Sequence, residues 1–105
     1  MDQETSKRVE QFIESVSKHE HCLVSAFIFG SYVRGTQHND SYIDVALVIE
    51  GLSDNQRFDT QVRLMMIASR FDTRIEPHPI SLKDLNSNNP FSVEIKKTGL
   101  ELSLK

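Results

Sequence analysis

Two apolar runs on either side of a glycine-serine turn constrain the fold of this chain more than any other feature of its sequence. Residues 22–29 read CLVSAFIF and residues 42–50 read YIDVALVIE, and both runs are rich in β-branched and aromatic side chains. Runs of this kind are typical of strands that are covered on both faces. The first run ends at Gly30-Ser31, and the interior of the second contains one acid, Asp44. The sequence therefore predicts two central strands joined by a turn, with a carboxylate inside the second strand.

The two ends of the chain have helical patterns. A first helix of about four turns is predicted to begin near Thr5 or Ser6, because apolar residues follow at helical spacing. These residues are Val9, Phe12, Ile13 and Val16. A last helix is predicted in the segment PFSVEIKKTG, with Pro90 in its first turn and Gly99 past its end.

A further helix is predicted between the second strand and the next one. It covers residues 56–70, and Asp54 or Asn55 would be its cap. The predicted apolar stripe of this helix consists of Phe58, Val62, Met65, Met66 and Ser69. We expect this stripe to face the core.

A third, shorter strand is predicted over residues 72–80, DTRIEPHPI, in which Pro77 and Pro79 limit the ladder. Its alternation would place three polar residues on one face: Arg74, Glu76 and His78. The predicted order is then helix, strand, strand, helix, strand, helix. This order indicates an α+β fold, an α/β sandwich, in which a small mixed sheet of about three strands has helices packed on one side. Residues 1–105 would form a single domain.

The overall composition excludes several classes of protein. The chain has 105 residues, which is the size of one domain, and a net charge of -3, which argues against an extended nucleic-acid-binding surface. Cys22 is the only cysteine, so no disulfide can form within the chain. The N-terminal segment is polar, and no stretch approaches the ~20 apolar residues of a membrane helix. We therefore expect a cytoplasmic protein without a membrane segment.

The Gly-Ser turn has a chemistry that suits a triphosphate. Gly30 allows close approach of the backbone, and Ser31 adds a hydroxyl beside the N–H groups at the start of a short helix. Asp44 on the next strand would hold Mg²⁺ against the phosphates, because Mg²⁺ prefers hard oxygen ligands. Glu76 on the third strand could point to the same cleft. The sequence thus predicts a site for a nucleoside triphosphate and Mg²⁺.

The spacing of these residues resembles a known motif. Gly30-Ser31, the ten residues 32–41 and an Asp-x-Asp position form the signature of the nucleotidyltransferase superfamily that includes DNA polymerase beta. The chain is similar to the minimal, single-domain members of that superfamily. Asp44 matches the second Asp of the signature, and Tyr42 stands where the first Asp is expected.

The later part of the chain extends the resemblance. Glu76, in the segment RIEPHPIS, matches the third carboxylate of the family, and the ending from 89 to 99 also looks like this subfamily. The resemblance implies two-metal phosphoryl transfer, in which Asp44 and Glu76 are catalytic residues and metal ligands. A neutral phenol is a poor ligand for Mg²⁺ at neutral pH. We therefore expect Tyr42 to fill the space of a lost ligand and to weaken the activity.

The resemblance implies a substrate and a partner as well. The protein would move a nucleoside monophosphate from a triphosphate, with ATP as the expected donor, to a hydroxyl. Minimal members often act beside an all-helical HEPN-type protein in toxin-antitoxin pairs, in which that partner is the target. A second hypothesis is a catalytically inactive binding module or antitoxin that acts through the helical partner. A homo-oligomer is also left open by the sequence.

Each residue of the predicted site has a structural alternative. The Gly-Ser turn could be an ordinary turn that caps a helix. Asp44 could be satisfied by Ser31 or by a backbone N–H, and Glu76 could pair with Arg74 or lie in solvent. We expect a structural role for His78, which lies between two prolines.

Overall fold

The two apolar runs form the central strands of a mixed sheet in the computed structural model, which describes residues 1–38 and 40–104. Asn39, one of the ten spacer residues of the motif, and Lys105 lie outside the described residues. The elements in chain order are α1 (Gln3–His19), β1 (Leu23–Phe29), α2 (Ser31–Arg34), β2 (Ile43–Ile49), α3 (Asp54–Ala68), β3 (Ile75–Ser81), α4 (Leu82–Leu85), α5 (Pro90–Thr98) and β4 (Leu100–Leu102).

The sheet has four strands in the order β3-β2-β1-β4. β2 is parallel to β3, and β1 is antiparallel to both β2 and β4. The predicted α+β class and mixed sheet are confirmed, with one strand more than expected. The additional strand, β4, has three residues and pairs with residues 26–28 of β1. Its strand conformation depends on that pairing, because three residues carry no periodicity of their own.

Helices cover both faces of the sheet, so the prediction of helices on one side is wrong. Val45 and Leu47 of β2 belong to a core that is shared with α1 and α3. Ala46 and Val48 point to the opposite face, where they pack in a second core with Ile95 of α5. A strand that is apolar on both faces loses its hydrophobic stabilisation on any face that water reaches. The apolar character of β2 therefore requires both layers of helices.

The helix α3 presents a different face to the core from the one that the sequence predicts. Its buried residues are Thr60, Leu64 and Ala68, which repeat every fourth residue. The predicted apolar stripe is exposed instead: Phe58 (74%), Val62 (41%), Met65 (49%) and Met66 (66%). Small side chains at two of the three buried positions let the helix lie close to its neighbours, and this packing overrides the larger apolar area of the other face. The helix begins at Asp54, after Ser53, whose backbone N–H donates to Gln56 Oε1 (3.1 Å).

The first and last long helices follow the sequence prediction. α1 buries the four predicted apolar residues, although it begins two or three residues earlier than expected, with Asp2 as its cap. α5 begins with Pro90, is capped by the side chain of Asn89 and is followed by Gly99. Among the described residues, no helix combines the length and the apolar character that a membrane crossing would need.

Candidate active site

The turn after β1 brings the backbone against the carboxylate of the next strand. Gly30 has φ 81° and ψ -149°, a backbone conformation that is open essentially to glycine alone. A Cβ atom at this position would lie 2.5 Å from Oδ2 of Asp44. Ser31 follows at once as the first residue of α2 and is partly buried. Gly30 is therefore required both by its own backbone and by the position of Asp44.

The parallel pairing of β2 and β3 places Asp44 directly opposite Glu76. The two carboxylates lie on the same face of the sheet, and His78 follows two residues after Glu76 on that face. One ligand atom from each of the three residues lies within 4.8 Å of the other two. The structure therefore brings together Gly30, Asp44 and Glu76, which the sequence predicted to share one cleft.

His78 belongs to the same cluster through contacts with both carboxylates. Its Nε2 atom lies 3.1 Å from Oδ1 of Asp44 and 3.3 Å from Oε1 of Glu76. The three side chains are partly exposed, at 26% for His78, 26% for Asp44 and 36% for Glu76, so a ligand can reach them from solvent. The alternation of side chains along β3 is the sequence signal that could have placed His78 beside Glu76. It shows that residues 76 and 78 share a face, but the register with β2 comes from the structure.

Two aromatic rings border the cluster. The ring of Phe29 meets the imidazole of His78 edge-on, with 5.1 Å between the ring centroids. The ring centroid of Phe91, in α5, lies 5.3 Å from that of Phe29 and 6.1 Å from that of His78. Phe91 is 38% exposed. Packing against both rings limits the orientations of the imidazole.

Tyr42 lies directly before β2 in the chain and is mainly exposed. The strand β2 begins at Ile43, one residue later than predicted, so Tyr42 precedes the strand. The residue is 62% exposed. A side chain with that exposure lies mainly in solvent. Tyr42 is thus a surface residue two positions before Asp44 in the chain.

Arg74 forms no ion pair with Glu76 and instead connects α1, α2 and the loop before β3. Its guanidinium donates to Asp72 (Nη2 to Oδ2, 2.8 Å), to the hydroxyl of Tyr32 in α2 (3.0 Å) and to Thr5 of α1 (3.2 Å). The predicted alternative, in which Glu76 pairs with Arg74, is therefore not observed. The network fixes α2, which follows the Gly-Ser turn, relative to α1 and to the start of β3.

Asp72 is the anionic centre of this network. Its carboxylate is 6% exposed and accepts hydrogen bonds from Arg74 and from Arg8 of α1. The hydrogen bonds from Arg74 hold the pKa of Asp72 well below its usual range, because they favour the charged form more than burial opposes it. Asp72 is therefore charged at neutral pH and forms ion pairs with Arg74 and Arg8.

Comparison with known proteins identifies the family of the chain. The family model described as polymerase beta, nucleotidyltransferase, matches residues 10–104. No curated protein gives a significant match in sequence.

Several solved structures share the fold. A proposed nucleotidyltransferase from Sulfolobus solfataricus has 22% identity and a TM-score of 0.68, and the match covers 94% of this chain and 79% of that chain. A toxin-antitoxin with AMP-PNP has 19% identity and a TM-score of 0.61, over 94% of this chain and 73% of that chain. A mutant of the toxin-antitoxin MntA-HpeT has 20% identity and a TM-score of 0.61, and the match covers 90% of this chain and 72% of that chain. At these identities the likeness shows the fold.

Proposed function

The chain belongs to the polymerase beta nucleotidyltransferase family, and from that premise we propose that it transfers a nucleoside monophosphate from a triphosphate to a hydroxyl group. The observation that carries the proposal is the convergence of Gly30, Asp44 and Glu76 at one end of the sheet. ATP is the proposed donor. We place the reaction in the cytoplasm, where the donor is available.

The donor atoms of the cluster suit a divalent cation. Asp44 and Glu76 supply carboxylate oxygens, which are the ligands that Mg²⁺ prefers, and their partial exposure leaves room for phosphate oxygens and water. These two residues would hold Mg²⁺. When bound, the ion would polarise the phosphoryl group and stabilise the charge on the leaving pyrophosphate.

The side chains and backbone of the site have separate roles in the proposal. The backbone at Gly30 and the hydroxyl of Ser31 bind the triphosphate and orient it across the end of β1. The carboxylate of Asp44 would hold the divalent cation that balances the negative charge of the phosphates. Glu76, on the neighbouring strand, accepts the proton of the attacking hydroxyl.

The absence of a carboxylate at position 42 limits the proposed rate. The resemblance to the family calls for an acid there, and Tyr42 is a neutral side chain that lies mainly in solvent. Two carboxylates balance less cationic charge than three. We therefore propose a slow enzyme, because each loss of about 1.4 kcal/mol of transition-state stabilisation lowers the rate about tenfold.

A helical protein of the HEPN type is the proposed partner and the proposed bearer of the acceptor hydroxyl. The support is the shared fold with toxin-antitoxin structures, one of them with AMP-PNP. The second candidate function is an inactive binding module, or an antitoxin, that acts through such a partner without transfer. Tyr42 at the position of an expected metal ligand favours this second candidate.

Transfer of label from α-labelled ATP to a purified helical partner tests the proposal. We expect slow, Mg²⁺-dependent labelling by the wild-type protein and faster labelling by Tyr42→Asp, which adds a carboxylate beside Asp44. Asp44→Asn should lower the rate at least about tenfold. Asp59→Asn, an exposed substitution on α3, is the matched control.

Three results would contradict this account. Equal labelling by wild type and Asp44→Asn would remove Asp44 from the reaction. Wild-type transfer as fast as that of Tyr42→Asp would show that the tyrosine is no defect. Binding of the partner without labelling by either protein would favour the inactive binding module.

A further inference from the structure

The imidazole of His78 lies where it can complete a metal site with the two carboxylates. Its Nε2 atom is 3.1 Å from Asp44 Oδ1 and 3.3 Å from Glu76 Oε1. Ligand atoms about 2.1 Å from one ion and at right angles to each other are ~3.0 Å apart. The nitrogen is therefore already spaced from both oxygens as neighbouring ligands of one ion would be.

The surroundings of His78 favour this arrangement over a chance contact. The ring packs edge-on against Phe29 and also faces Phe91, so it enters the cluster in a restricted orientation. Asp44 and Glu76 are in direct register on neighbouring strands, and His78 is on the same strand as Glu76. Rigid elements thus hold all three donors, and little order has to be created on binding.

We propose that His78 is the third protein ligand of this site, and that the site consequently prefers a first-row transition ion such as Mn²⁺ to Mg²⁺. This inference rests on the proposed function only for the statement that a divalent ion binds there. Imidazole nitrogen suits transition ions, whereas Mg²⁺ strongly favours oxygen. A neutral nitrogen also supplies a ligand, but no charge, in a site that has two carboxylates.

Pulsed electron paramagnetic resonance of bound Mn²⁺ reads the ligand directly. Modulation from a coordinated ¹⁴N nucleus should appear in the wild-type protein and vanish in His78→Asn. His21→Asn, which changes an exposed histidine in a turn, is the matched control and should keep the signal. Calorimetric titration of each ion should also show that Mn²⁺ binds the wild-type protein at least about tenfold more tightly than Mg²⁺. His78→Asn should lose most of that preference.

A second variant shows whether loss of the nitrogen signal comes from His78 itself or from general damage to the site. Glu76→Gln leaves His78 in place, so it should weaken the binding of both ions and retain the nitrogen signal. Bound Mn²⁺ without nitrogen modulation in the wild type would overturn the inference, since His78 would then only hydrogen-bond to Asp44. Failure of Mn²⁺ to bind at all would also overturn it.

The same samples separate this inference from the proposed function. Binding of ATP that depends on Mg²⁺, together with a Mn²⁺ spectrum that lacks nitrogen, would overturn the inference and leave the function standing. A nitrogen signal in a protein that binds no triphosphate would support the inference and contradict the proposed function.

Discussion

At the scale of single residues, Gly30 is the position where backbone conformation and site geometry depend on each other most closely. Its positive φ is open to glycine, and its missing side chain leaves the space that Oδ2 of Asp44 occupies. Gly51 also has a positive φ, of 79°, but nothing lies within 4 Å of the place where its Cβ would be. The two glycines thus differ in whether an added Cβ would meet another group.

We expect Gly30→Ala to lower the free energy of unfolding more than Gly51→Ala does. Gly51→Ala should cost ~1 kcal/mol from strain alone, and Gly30→Ala ~2–3 kcal/mol, because a displaced carboxylate adds to a more restricted backbone. Urea unfolding followed by circular dichroism measures both. Metal affinity should fall in Gly30→Ala and stay unchanged in Gly51→Ala. Equal losses of stability and intact metal binding in both variants would contradict the close contact with Asp44.

At the scale of elements, the Asp72-Arg74 ion pair joins α1, α2 and the loop before β3. Arg74 contacts α1 through Thr5 and α2 through Tyr32, and Asp72 accepts a further hydrogen bond from Arg8 of α1. The short helix α2 has only four residues and cannot be stable by itself. Its orientation after the Gly-Ser turn therefore depends on tertiary contacts of this kind.

Acidification should weaken this network. Because the pKa of Asp72 is lowered in the folded protein, its stabilising contribution is complete above the unfolded value near 3.9 and is lost as the pH falls through the folded value. We expect Asp72→Asn to cost on the order of 2 kcal/mol at pH 7, and the difference from wild type to shrink as the pH falls below 4. Asp54→Asn is the control, since the Asp54 side chain is 89% exposed and its ion pair with Arg57 contributes little. Denaturant midpoints across this pH range measure the effect; a difference that is constant from pH 7 to pH 3 would rule out the ion pair as its cause.

α3 shows at the same scale why a helix can be predicted correctly while its orientation is not. The sequence predicts the helix from its periodicity, but two faces of α3 compete for the core. The exposed face includes Phe58 and Met66, and the buried face has Leu64 between small residues. Which face packs inward depends on how closely the neighbouring elements approach, and that information is not local in the sequence.

At the scale of the whole molecule, one sheet separates two cores and brings the site residues together at one end of its strands. β1, β2 and the convergence of Gly30 with Asp44 could be predicted, because continuous apolar runs and a spaced motif are local signals. The strand β4 and the placement of α5 on the second face of the sheet could not be predicted from their own residues, since each depends on contacts with distant parts of the chain. His78 enters the site through the register of two parallel strands, which the alternation of β3 alone does not determine.

The most direct test of the account is calorimetric titration of a non-hydrolysable ATP analogue with Mg²⁺ into the wild-type protein, Asp44→Asn and Tyr42→Asp. We expect weak binding by the wild type that disappears with EDTA, binding about tenfold weaker still in Asp44→Asn, and tighter binding in Tyr42→Asp, because each substitution changes the negative charge that faces the cation. Binding that is unaffected by EDTA and by Asp44→Asn would contradict a metal-triphosphate site at this end of the sheet.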